Sequence, residues 1–485
     1  MTHPLKSLKP DKLWEQFYNL TTIPRPSKKE EKVVEYVKNF GEKLGLETIV
    51  DEVGNVIIRK PATAGFEDRK GVILQSHLDM VPQKNSDNNH NFETDPIETY
   101  IENGWVKARG TTLGADNGIG VAAILAVLAS DDLQHGPVEG LFTIDEEAGM
   151  TGAHRLKPGL LNGEILLNLD SEDEGELYVG CAGGTNANMI FSFREEPVPD
   201  DHVAFRISLT GLKGGHSGLD INRGRANANK LLFRFIKHAV IHLGARLADV
   251  DGGSLRNAIP REAFAVLTVP KEEVVEFVEE VHNFEVQFCQ EYNTSEPDIL
   301  FKIEETDIPA FVIEEIVQDD LINAIQACPN GVIRMSADME GLVETSLNLA
   351  IVKTEGHEVK ALALLRSSVE STKEDLESSL ESLFRLAGAE IWFDGHYPGW
   401  KPNLQSGILK TMQEVYNQKW GVTPEIKAIH AGLECGILGS AYPHWDMISF
   451  GPTIRFPHSP DEKVDIASVE KFWEYLAAML KEAGK

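Results

Sequence analysis

Between residues 55 and 170 the chain alternates short apolar runs with helical stretches, and this constrains the fold more than any other feature. The runs are Asn55-Val56-Ile57-Ile58, Val72-Ile73-Leu74, Leu141-Phe142-Thr143-Ile144 and Ile165-Leu166-Leu167, with a helix expected over 117–129. Strands separated by helices need crossover connections, which predicts a largely parallel sheet with helices on both faces. Before it, Phe17, Val33, Val34, Val37 and Phe40 recur at helical spacing, so two helices open the chain.

The texture changes near residue 187. Longer alternating strands such as 204–210 and 263–269 interleave with amphipathic helices, and the pattern reads twice, dividing near residues 292–297. From Gly399 the α/β texture returns, with a helix near 408–420, a strand near 447–450 and a terminal helix near 468–481. The expected architecture is an α/β catalytic domain in two segments, 1–186 and 397–485, interrupted after its fifth or sixth strand. The insert, 187–396, is an α+β lid of two similar halves.

The 46 Lys and Arg stand against 76 Asp and Glu, a formal charge of −30, and that field repels nucleic acid and anionic membrane alike. The longest apolar run, 119–129, is too short to span a bilayer, and residues 1–13 lack an apolar leader core. The four cysteines, with no C-x-x-C pair, indicate neither a disulfide framework nor a thiolate metal site. A cytoplasmic setting is the expectation.

In open α/β sheets, functional groups collect beyond the C-terminal ends of the strands. Here Val72-Ile73-Leu74 leads into His77-Leu78-Asp79, the 141–144 run into Asp145-Glu146-Glu147, and the 165–169 run ends at Asp170; residues 447–451 precede Pro457-His458-Ser459-Pro460. Asp116 sits in Gly114-Ala115-Asp116-Asn117-Gly118, ahead of the 117–129 helix, where a plain N-cap is also available to it. Two histidines and several carboxylates form an N/O donor set suited to Zn²⁺, Mn²⁺ or Co²⁺. A carboxylate can bridge two ions, and Asp116 is the best placed to do so. Asp79 has the length to fix the His77 tautomer. Of Glu146 and Glu147, one can bind metal while the other takes a proton from water; spacing does not say which.

These residues resemble the co-catalytic di-zinc peptidases, a family that includes carnosinases, aminoacylases, glutamate-releasing carboxypeptidases and bacterial dipeptidases. The matching segments are Ser76-His77-Leu78-Asp79-Met80-Val81-Pro82, Gly114 to Gly118, Asp145-Glu146-Glu147-Ala148-Gly149, Asp170-Ser171 and Pro457-His458-Ser459. Further likeness runs through Gly214-Gly215-His216-Ser217-Gly218, Arg256-Asn257-Ala258 and His430-Ala431-Gly432-Leu433-Glu434-Cys435-Gly436, and is strongest to the bacterial dipeptidases. The resemblance implies two divalent ions per chain, zinc foremost with cobalt or manganese as alternatives. His77 and Asp170 would hold one and Glu147 and His458 the other, with Asp116 between them, Glu146 as general base and Asp79 behind His77. It further implies that His216 on the lid stabilises the transition state, while Asn257, Arg366 and Gly432 grip the substrate.

The implied reaction is hydrolysis of dipeptides by a water shared between the ions, Xaa-His and carnosine-like substrates among them. In many relatives the lid histidine reaches a neighbouring subunit, so a homodimer is one expectation; a doubled lid whose second half plays the partner's part is the other. The rival readings are an N-acyl amino acid amidohydrolase with the same machinery and a non-catalytic metal or peptide binder. Gly118-Ile119-Gly120-Val121-Ala122-Ala123 fits a dinucleotide fingerprint but lacks a strand directly before it, and reads as helix packing.

Overall fold

A computed structural model describes residues 4–485. The chain divides into two compact units: one runs to Gly180 and adds Pro402–Ala428 and Leu433–Lys485, and the other comprises Cys181–Lys401 with Ile429–Gly432.

The first unit is built on an eight-stranded mixed sheet. Its strands lie in the order Glu47–Val50, Val56–Lys60, Val138–Thr143, Val72–His77, Ile165–Asn168, Asp446–Ser449, Glu176–Cys181 and Glu425–Ile429. The four strands from Val138–Thr143 to Asp446–Ser449 run parallel, whereas Glu47–Val50, Val56–Lys60 and Glu176–Cys181 pair antiparallel at the flanks. Val72–His77, Val138–Thr143 and Ile165–Asn168 are buried at every position, as a sheet covered on both faces requires.

The helix Ala115–Leu128 is buried on all sides, but Asp116 and Asn117 are not helical, so the regular helix starts at Gly118. Its glycines are close-approach positions: a Cβ at Gly120 would lie 2.4 Å from Ser76 Oγ and 2.6 Å from the Leu169 carbonyl. The glycine pattern thus serves helix-on-sheet packing. A separate four-stranded sheet joins Ile454–Arg455, Lys463–Asp465, Trp105–Ala108 and Thr99–Glu102.

The second unit is built on one large sheet with helices Ala228–Leu243, Val274–Tyr292, Glu315–Ala327 and Glu370–Leu386. Two β-α-β-β-α-β modules share it. One orders its strands Leu300–Thr306, His202–Thr210, Ala263–Pro270 and Arg246–Gly252; the other continues Val343–Glu355, Glu358–Ser367, Gly183–Ser192 and Glu390–Tyr397. In chain order each module is arranged 4-1-3-2, and the two second strands meet at Asp251/Lys353 and Gly252/Val352.

The halves are therefore similar, but nested instead of consecutive. Gly183–Ser192 pairs with Glu358–Ser367 and Glu390–Tyr397, so the first strand of the outer half precedes the whole inner half. A division at 292–297 splits the inner module before its last strand. Phe235 packs against Phe277, Phe284 and Phe301 with ring centroids 5.1–5.6 Å apart, a large apolar contribution to this core. Among the described residues no helix is long and apolar enough to cross a membrane.

Candidate metal centre

The parallel strands deliver four of the six candidates for metal ligand or general base to one edge. His77 is the last residue of Val72–His77, Glu146 and Glu147 follow Val138–Thr143 by three and four residues, and Asp170 lies two beyond Ile165–Asn168. Asp116 and His458 arrive on the loops flanking the four-stranded sheet. Asp145 and His458 both adopt left-handed backbone, with φ of 53° and 59°. Such strain in non-glycine residues is held only where the surroundings overdetermine it, and is frequent at functional sites.

Asp116 divides its two oxygens. Oδ1 lies 3.1 Å from His77 Nε2, and Oδ2 lies 3.1 Å from His458 Nε2. On the first side Asp170 Oδ1 is 3.4 Å from the same His77 nitrogen; on the second, Glu147 Oε2 is 3.0 Å from His458 Nε2. Two donor sets result, His77–Asp116–Asp170 and Asp116–Glu147–His458, each with ligand atoms within 4.8 Å of one another. Asp116 makes no cap to the helix; its carboxylate is turned to the histidines.

Asp79 is fully buried, with each carboxylate oxygen doubly engaged. Oδ1 accepts the Glu146 N–H at 3.0 Å and lies 3.3 Å from His77 Nδ1, while Oδ2 accepts from Ser27 Oγ at 2.8 Å and from the Glu147 N–H at 3.2 Å. One side chain thus orients the imidazole and both glutamates.

The electrostatics call for cations. Burial pushes Glu146 well above the ordinary carboxylate range, and neighbouring Asp170, Glu434 and Glu147 add to this against His77. Asp170 rises to about 6, from burial first. Burial opposes charge on His77, yet Asp170, Asp116 and Asp79 hold its pKa well above the usual value; His458, bonded to Asp116 and Glu147, rises to about 11. Glu147 Oε1 is buried without a hydrogen-bond partner. A pair of divalent ions would answer both the clustered negative charge and this orphaned oxygen, and the N/O donor set fits zinc, cobalt or manganese.

Three buried residues to which the sequence pattern assigns no role, Arg25, Glu462 and Glu434, support these loops. Arg25 donates to the carbonyls of Leu78 and Asp79, both at 2.9 Å, and to that of Gly114. Glu462 accepts backbone N–H groups from Leu113 to Asp116, and burial pushes its carboxyl up to about 7. Beneath the sheet edge, Glu434 accepts from Gln75 at 2.6 Å and Thr143 at 2.8 Å. A charged residue followed by a long gap to its partner has no periodicity to reveal it. The spacing of Glu462 from His458 was the one available hint.

The remaining candidates lie in the second unit. His216 sits in a two-residue strand paired with Ala258–Ile259. Its Nδ1 accepts N–H groups from Gly218 at 3.1 Å and Leu219 at 3.0 Å, which assigns the ring proton to Nε2. Burial and the nearby Arg366 lower its pKa, so the neutral donor form is favoured.

Arg366 is 5% exposed and bonds two hydroxyls, Ser217 Oγ at 3.4 Å and Tyr397 Oη at 2.9 Å. No surface acid takes it up among the described residues. Asn257 is exposed, and its carbonyl accepts the Ser217 N–H at 2.8 Å. Gly432 follows His430, whose Nε2 is 2.7 Å from Ser346 Oγ and whose backbone oxygen lies 2.0 Å from where a Cβ on Gly218 would sit. His216, Ser217, Asn257, Arg366 and the 430–432 segment thus form one connected cluster.

A family model described as peptidase family M20/M25/M40 matches residues 73–482. The chain is 47% identical over 478 residues to the cytosol non-specific dipeptidase of Escherichia coli strain K12, covering 99% of each. It superposes on the crystal structure of aminoacylhistidine dipeptidase from Vibrio alginolyticus with TM-score 0.94 and 49% identity, over 98% of this chain and 97% of the other. Aminopeptidase PepT from Bacillus cereus shares the fold at TM-score 0.58 and 16% identity. On these matches, which span nearly its whole length, the chain belongs to peptidase family M20/M25/M40.

Proposed function

We propose that this chain is a metal-dependent dipeptidase acting on small peptides with free termini, Xaa-His and carnosine-like dipeptides among them. The observation that carries this reading is the division of Asp116 between two donor sets, with 3.1 Å to a histidine on each side. Similarity over nearly the whole length to relatives named as dipeptidases supports the substrate class.

His77 and Asp170 would hold one ion, Glu147 and His458 the other, and Asp116 both. Bound there, two divalent ions supply Lewis acidity toward a carbonyl and lower the pKa of a water toward about 7.

Glu146 takes the proton of the attacking water and returns it to the departing amine. Asp79 keeps His77 in one tautomer and holds the backbone of Glu146, so the base is placed before substrate arrives. His216, neutral and carrying its proton on Nε2, donates to the oxyanion. Arg366 receives the substrate's terminal carboxylate in a two-pronged bond, with Asn257 and Gly432 lining the same cluster. A cytoplasmic enzyme, active as a single chain or as a homodimer, is the setting that we propose.

Elemental analysis combined with a hydrolysis panel tests the reading. The panel should contain Xaa-His dipeptides, carnosine, other dipeptides and N-acetyl amino acids. Two equivalents of zinc, cobalt or manganese with cleavage of dipeptides are expected. Preference for N-acetyl amino acids, or undiminished hydrolysis after complete metal removal, would overturn it.

A further inference from the structure

Glu462 stands four residues beyond His458, 2% exposed, at the end of a turn closed by its own N–H on the Ser459 carbonyl at 3.0 Å. Its carboxylate gathers four consecutive amides of another loop. Leu113 and Gly114 donate to Oε2 at 2.7 and 2.9 Å, and Ala115 and Asp116 donate to Oε1 at 2.7 and 3.2 Å. The backbone that presents Asp116 is therefore wrapped around a side chain borne by the loop that presents His458.

The surroundings leave this contact little room. Next to Glu462, Lys463–Asp465 pairs with Trp105–Ala108, so both loops spring from neighbouring strands. On the other side of Gly114 its carbonyl accepts from Arg25. Gly114 has φ of 71°, and a Cβ there would lie 2.6 Å from Arg25 Nη2 and 2.9 Å from Met80 Sδ. Only glycine lets the loop pass between them. The four amides favour the ionised carboxylate against the burial that raises its pKa, and hydrogen bonds to a charged acceptor are roughly twice as strong as neutral ones, so together they fix the loop.

We propose that Glu462 is a positioning residue for the Asp116–Glu147–His458 side of the metal centre, locking Asp116 and His458 at their mutual distance of 3.1 Å. The proposal rests on the two-ion reading above. His77 and Asp170 are placed by the strands Val72–His77 and Ile165–Asn168 and do not depend on this contact. Glu462 should therefore act on one ion much more than on the other.

Glu462→Gln is nearly isosteric but offers one acceptor oxygen and turns an NH₂ toward two amides that need an acceptor. Glu462→Asp keeps the charge and both oxygens but shortens the reach. The test is calorimetric titration of the metal-free full-length chain with Zn²⁺ alone, for wild type, Glu462→Gln, Glu462→Asp and His458→Ala. Circular dichroism of each metal-free protein reports its fold. His458→Ala identifies the binding step that belongs to its side.

Glu462→Gln should weaken that step by about 10- to 100-fold, the usual range for residues that orient ligands, and the other step, which shares Asp116 but keeps His77 and Asp170, by clearly less. Glu462→Asp should weaken the same step less, and it decides the matter if the Gln variant does not fold. Two wild-type-like steps in either folded variant, or equal weakening of both steps, would overturn the proposal. Uptake of a single ion by wild type would instead overturn the two-ion reading.

Discussion

Replacing Arg366 by Met asks what a buried guanidinium is for when its hydrogen-bond partners among the described residues are hydroxyls. Arg366 is 5% exposed, so solvent screens its charge little, and Ser217 and Tyr397 supply no negative charge to balance it. A terminal carboxylate would. Each hydrogen bond between charged groups contributes about 1.5–3 kcal/mol, and part of a two-pronged pair is spent on stripping water from both ions, leaving about 3 kcal/mol. At about 1.36 kcal/mol per decade, that is roughly 10²-fold in kcat/KM.

The assay compares a dipeptide with its C-terminal amide, on wild type and on Arg366→Met. Any loss of folded protein cancels in the ratio. Wild type should prefer the free acid by about 10²-fold, Arg366→Met should show almost no preference, and activity on the amide should be nearly equal in both. Stability should fall only slightly, because the two freed hydroxyls, each bond contributing about 1 kcal/mol, can rotate to other partners. Arg366→Lys should recover part of the preference, as a point charge without the planar fork. A variant that kept the wild-type preference would refute the assignment.

His216→Ala should lower kcat by roughly 10²- to 10³-fold with little change in KM, measured on one dipeptide; unchanged kcat would remove His216 from the reaction. Glu146→Gln should lower kcat by about 10²- to 10⁴-fold while elemental analysis still finds the full metal complement; loss of metal would make Glu146 a ligand. His430 has its pKa pulled from 6.5 to about 3, by burial first and then by Arg366 and His216. The folded state stays neutral where the unfolded state binds a proton, so stability should fall as pH drops from about 6.5 toward 3, by at most about 1.4 kcal/mol per pH unit. Urea unfolding of His430→Gln should show a shallower dependence over that range; an unchanged slope would assign it to other groups.

Much of the first unit could be read from residue order. Val72-Ile73-Leu74 and Ile165-Leu166-Leu167 are apolar at every position, which suits strands covered on both faces. Because parallel strands bring their C-terminal ends to one edge, His77, Glu146, Glu147 and Asp170 could be placed together before any coordinates. Asp116 was harder. Its position ahead of a helix suits an N-cap equally well, and only its contacts with His77 and His458 show where the carboxylate turns.

What the amino-acid order determined, then, is chemistry tied to local pattern: which segments become buried strands, and which acids and histidines end them. Tertiary structure alone decided the pairings. The nesting of the second unit follows from Gly183–Ser192 joining Glu358–Ser367, a partnership that alternating strands of equal pattern cannot announce. The same holds for Glu462 on the amides of Leu113 to Asp116 and for Arg25 on three carbonyls, where residues far apart in sequence meet. Hydrophobic periodicity is a property of neighbours along the chain, whereas a buried charge is satisfied by whatever backbone the fold brings to it.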